Sequence, residues 1–130
     1  MKLKIKEKEY SLNWGLGTFG LVEEELDMDI DGVFAEFNKH KVNTSLVYYA
    51  ILNSERVKND DDYFTLDFGK SFFSDWLDQQ PQEVATEIVK DFYKWSINGK
   101  SWGEKLGIDM AKLESDKKEE PKKKKVVNKQ

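Results

Sequence analysis

The chain opens with a period-two pattern. Leu3 and Ile5 alternate with lysines, and after Glu7-Lys8-Glu9 the residues Tyr10, Leu12 and Trp14 alternate with Ser11 and Asn13. Side chains of a strand point to opposite faces in turn, so this reads as a half-buried β-hairpin with its turn at Glu7–Glu9. A lone hairpin is marginal in water, so it must pack on something else. The pattern then changes to the helical period. Leu16, Phe19, Val22 and Leu26 predict a first helix near Thr18, with Glu23-Glu24-Glu25 mostly on its other face. Ile30, Val33, Phe34 and Phe37 predict a short second helix capped by Asp29 or Asp31. Asn43 or Thr44 would cap a third, running to about Lys58. Its apolar residues (Leu46, Val47, Tyr49, Ala50, Ile51, Leu52) cover most of the circumference, which marks a helix central to a bundle.

Beyond the acidic loop of residues 59–62, Tyr63-Phe64-Thr65-Leu66 fits either a short strand or the approach to a helix. Ser71 or Asp67 begins a fourth helix with Phe72, Phe73, Trp76 and Leu77 on one face. Pro81 suits the first turn of a fifth, whose stripe of Val84, Ala85, Ile88, Val89, Phe92 and Trp95 closes at Asn98-Gly99, read as a C-cap. The fold class expected is mainly α (α+β): an N-terminal β-hairpin packed on about four to five helices. One globular domain is expected over residues 1–107, with the hairpin in 1–15 and the helical body in 16–98. Residues 108–130 are expected to form a charged, disordered tail.

Composition sharpens this picture. The chain has 130 residues and no cysteine, so disulfides and thiolate metal sites are excluded. Lysines interrupt the N-terminus, which lacks the apolar core of a signal peptide, and no stretch reaches membrane-spanning length. The net charge of −4 conceals an asymmetry: residues 117–130 carry seven lysines against two glutamates, leaving −9 on residues 1–116. An acidic body argues against nucleic-acid binding through the folded part.

Several motifs resemble chemical sites. Gly15-Leu16-Gly17-Thr18-Phe19-Gly20 matches G-x-G-x-x-G, but a helix rather than a parallel strand follows, so it reads as a glycine-rich joint that lets the first helix pack tightly on the hairpin. Asp27, Asp29 and Asp31 before Gly32 reproduce half of a calcium loop; where the bidentate glutamate belongs stands Asn38, and helix-capping aspartates are the better reading. Gly69-Lys70-Ser71 and Gly99-Lys100-Ser101 resemble the end of a phosphate loop but lack its leading glycine, and read as helix boundaries. His40, the sole histidine, is placed in a solvated turn. No nucleophile, base and orienting group can be named together, so the chain is read as non-enzymatic, with no cofactor and no metal.

Aromatic residues make up 13% of the chain, many of them core residues, and Phe72, Phe73, Trp76 and Trp102 are the candidate partner-binding residues. Trp102, beside Gly99 and Gly103, fits an exposed interface anchor or a cap folded back on the bundle equally well.

The lysine-rich opening Met1-Lys2-Leu3-Lys4-Ile5-Lys6, continued by Glu9-Tyr10-Ser11-Leu12-Asn13-Trp14-Gly15, resembles the tail assembly chaperones of long-tailed bacteriophages. So does the succession from Leu46 to Trp95 of hydrophobic helix, acidic loop, aromatic helix and long amphipathic helix. The resemblance covers about residues 1–100. It implies a protein of the bacterial host's cytoplasm that binds the tape-measure protein, recruits tail-tube protein, self-associates along a long client and is absent from the mature virion. It also implies two lengths of product through a ribosomal frameshift, for which the codons of Lys122–Lys125 would be the slippery run. The alternative is a structural tail or head-tail connector component of the virion; a weak calcium-binding module is the third reading.

Overall fold

A computed structural model of the chain describes residues 1–112. The run Lys122–Lys125, and with it most of the expected tail, lies outside the described residues. The chain forms two compact units, Met1–Glu87 and a second that begins at Ile88.

In the first unit, β1 (Lys2–Ile5) and β2 (Lys8–Ser11) pair antiparallel, with Leu3 opposite Tyr10 and Ile5 opposite Lys8. Leu3, Ile5 and Tyr10 are buried on the shared face. Lys8, at the end of that face, keeps its ammonium 5.8 Å from the Tyr10 ring centre, so its stem covers apolar surface while its charge stays wet. The turn is Lys6-Glu7 rather than Glu7–Glu9. Both residues have positive φ (52° and 70°), the conformation of the two-residue turn that matches strand twist. Neither is the glycine or asparagine that normally marks such a turn; the hydrophobic register, with Leu3 and Tyr10 on one face, selects it.

Helices α1 (Leu16–Leu26), α2 (Ile30–Ala35), α3 (His40–Asn59) and α4 (Lys70–Asp78) follow, and α5 (Gln82–Lys94) runs on into the second unit. The aspartates between α1 and α2 are helix-boundary residues. Asp27 closes α1 in the left-handed conformation, and Asp29 caps α2 by accepting from the Gly32 amide at 2.8 Å. Leu16 is exposed, so the buried face of α1 is made by Thr18, Phe19 and Val22. α3 begins at His40, before the expected caps Asn43 and Thr44. Its first turn is polar and carries no apolar period to announce it; buried Val42 holds it down. Thr44 is therefore inside the helix and buried, and His40 is no turn residue. Val42, Leu46, Val47, Ala50, Ile51 and Leu52 are buried along α3, against which β2, α1 and α4 pack. Tyr63–Leu66 is neither strand nor helix.

A polar node fixes the glycine-rich joint. The Asn13 amide donates to the Ala50 carbonyl (3.0 Å), the Gly15 amide to the Asn13 side-chain oxygen (2.8 Å), and the Thr18 hydroxyl to the Asn13 carbonyl. Asn53 Nδ2 donates to the Thr18 hydroxyl at 3.1 Å. A Cβ on Gly17 would come within 3.3 Å of the Asn53 side chain, so the close approach is between α1 and α3. At Gly15 a Cβ would come within 2.9 Å of the Asn13 side-chain oxygen, so the joint is also tight toward the end of the hairpin.

In the second unit, the turn Asn98-Gly99 (φ 55° and 86°) joins β3 (Ser96–Ile97) to β4 (Lys100–Ser101). It is a hairpin turn, not the C-cap of α5, which ends at Lys94. Helix α6 (Trp102–Lys105) follows directly, capped by Ser101. Regular structure continues past Gly107: the Ile108 amide donates to the Gly103 carbonyl at 2.7 Å, and a helical turn starts at Met110.

Two substitutions test these local arguments. Thr18→Val keeps shape but leaves the Asn13 carbonyl and Asn53 amide short of a partner, and should cost about 1–3 kcal/mol in a denaturant titration. Gly99→Ala forces a Cβ into the left-handed turn and should cost about 1–2 kcal/mol with an unchanged denaturant slope. Wild-type midpoints in either variant would refute the corresponding account.

Candidate functional site

The four aromatic candidates separate. Phe73 is fully buried, its ring stacked on Trp76 (centres 5.7 Å apart) and Phe68 (6.3 Å) and tilted against Tyr48 (6.0 Å). It is a core residue and cannot bind a partner. Phe72, the next position round the helix, is 42% exposed; it leans on Phe68 and lies 5.1 Å beneath the Lys6 ammonium. Trp76 is half-buried. Trp102 is only 5% exposed, so it is a cap rather than an anchor. Its amide donates to the Trp95 carbonyl (2.8 Å) and its ring stacks on Phe92. The Ser101–Glu104 capping box fixes its helix: the Glu104 amide donates to Ser101 Oγ at 3.1 Å, and the Ser101 amide to Glu104 Oε1 at 2.9 Å. Ser101-x-x-Glu104 was legible as that signature. Hydrogen bonds from the Ser101 amide, first, and the Ser101 hydroxyl draw the Glu104 carboxyl below the usual range.

A second surface was not foreseen. Two adjoining clefts of about 410 and 370 Å³ follow the seam between α1 and α3 and share Leu21 and Arg56. α1 contributes Gly17, Leu21, Glu24 and Glu25; α3 contributes Leu52, Asn53, Arg56, Val57 and, just past its end, Asp60. Both sets recur at three- and four-residue spacing, so each is one stripe of a helix. Leu66 and Thr65 form a further wall. That wall is pinned by Arg56 Nε donating to the Phe64 carbonyl (3.0 Å) and the Tyr48 hydroxyl donating to the Phe68 carbonyl (2.9 Å). Val57 is 65% exposed inside the groove, and neighbouring Tyr63 is 89% exposed.

Electrostatics set the groove's ends. At one end Glu25 accepts from Lys70 Nζ (2.7 Å) and from the Tyr49 hydroxyl (3.1 Å), tying α1, α3 and α4 together, with the Lys70 ammonium 5.5 Å from the Tyr49 ring centre. These hydrogen bonds, that from Lys70 first, hold the Glu25 carboxyl below its ordinary range. Burial, then Glu25, pushes the Tyr49 phenol up to about 12. Glu24, Asp60 and Asp62 are exposed and form no ion pair with a described residue. A shallower hollow of about 240 Å³ lies between the start of α3 and α4, where His40 Nε2 and Ser74 Oγ are 3.0 Å apart. Among the described residues no three histidines or carboxylates cluster to hold a metal, and no helix is long and apolar enough to cross a membrane. No protein-family model, curated protein or solved structure matches the chain.

The Glu25 tether makes a pH prediction. Because its carboxyl is lowered in the folded state, the contribution is complete above the ordinary glutamate range and is lost as pH falls through the lowered value. Lys70→Met should move the Glu25 carboxyl back up in a carbon-13 NMR titration. The stability gap between the variant and wild type should shrink on acidification. An unmoved Glu25 titration would show that Lys70 is not the cause.

Proposed function

We propose that this chain is a tail assembly chaperone of a long-tailed phage or prophage, a non-enzymatic protein that binds the tape-measure protein and holds it ready for assembly. The observation that carries the reading is apolar surface left open on an acidic body: Val57, Tyr63 and Phe72 are exposed while residues 1–116 carry −9. Open apolar side chains give an aggregation-prone client something to bind, and the net charge keeps the complex in solution. The succession of lysine-rich hairpin, central hydrophobic helix, acidic loop and aromatic helix supports the same reading. Of the aromatic candidates, Phe72, 42% exposed, and half-buried Trp76 are proposed to take part. Tail-tube protein is the proposed second partner, the host cytoplasm the proposed site of action, and nucleic acid has no proposed role.

Co-expression with the neighbouring long, tape-measure-like reading frame tests this. The large protein should become soluble and co-purify with this chain. If it stays insoluble and this chain purifies alone, the chaperone reading fails. Detection of this chain in purified particles by mass spectrometry would instead favour a structural tail component.

A further inference from the structure

We propose that the groove along the α1–α3 seam is a docking site for a basic, amphipathic helix of the client. The proposal rests on the protein-binding reading above and names the chemistry that the client must carry.

The shape argues for a helix. Gly17, Leu21 and Glu24 on α1 and Asn53, Val57 and Asp60 along α3 lie at i, i+4, i+7, the ridges into which a third helix packs. Two walls are helical and the third, at Thr65 and Leu66, is a loop outside any strand, so the groove offers no paired strand edge for an extended peptide to join. From Tyr49 to Asp60 the α3 wall runs roughly 16 Å at the helical rise, enough for about three turns of a guest.

The chemistry argues for a basic one. Among its polar residues the lining carries apolar Leu21, Leu52, Val57 and Leu66. The rim carries Glu24, Asp60 and Asp62, which form no ion pair with a described residue, while Arg56, the cation among the lining residues, has its Nε committed to the Phe64 carbonyl. A guest with leucines on one face and lysines or arginines flanking them would cover these apolar side chains and pair the rim. The body of a second copy, residues 1–116, is a poor guest, since it carries the same sign as the rim.

The test uses the full chain and a labelled synthetic peptide of about fifteen residues, with leucines at i, i+3, i+4, i+7 and lysines elsewhere, read by fluorescence anisotropy and circular dichroism. Saturable one-to-one binding with a gain of helix is expected. Val57→Lys and Asp62→Lys should each weaken it by roughly tenfold or more, and Glu83→Lys, an equal charge change outside the groove, should not. Equal binding of a scrambled peptide, equal weakening by Glu83→Lys, or no binding at all would overturn the proposal. So would self-association that blocks the peptide. If the groove variants lose the peptide but still keep the tape-measure-like protein soluble, the groove assignment falls and the chaperone reading stands. If wild type binds the peptide through the groove but leaves that protein insoluble, the reverse holds.

Discussion

The first unit depends on burying α3 nearly all round. A two-stranded hairpin and an eleven-residue helix are each marginal in water, and neither α1 nor β1–β2 has a core of its own. α3 supplies it. Leu46, Val47, Ala50 and Ile51 have almost no exposed surface, and β2, α1 and α4 reach it from different sides. Apolar burial of this kind is non-directional. The directional element is the node of Asn13, Thr18 and Asn53, which sets where the hairpin ends and α1 begins along α3. Thr18 has no exposed surface, so its two hydrogen bonds form away from water, where leaving a partner unpaired is costly.

Covering α3 incompletely is what creates a surface of interest. α1 crosses it with Gly17 and Leu21 toward Asn53 and Val57, and a gap remains beside them. The loop after α3 does not close this gap. Arg56 and Tyr48 hold its carbonyls in place, so it stands as a wall. The acidic rim follows from the same geometry, because Asp60 and Asp62 occupy the loop that begins where α3 stops. α4 illustrates the opposite outcome for an aromatic pair. Phe73 fills the core while Phe72, one position earlier, is partly exposed under the Lys6 ammonium. A helix turns about a hundred degrees per residue, so on a helix packed along one side adjacent residues face different surroundings.

The sequence alone determined the fold class and the main elements. Period two gave the hairpin, period 3.6 gave the helices, and the breadth of apolar residues from Leu46 to Leu52 marked α3 as central. These patterns are legible because burial imposes them directly on residue order. Helix starts and turns were less legible. The polar opening of α3 carries no period, Lys6-Glu7 lacks turn residues, and Asn98-Gly99 fits a helix end and a hairpin turn alike. Tertiary structure alone decided which aromatics face water: Phe72 and Phe73 are identical residues, and Trp102 is buried where its ring stacks on Phe92. It alone decided the groove as well. That surface joins residues from two helices and a loop, and no pattern within one segment records what a distant segment leaves uncovered.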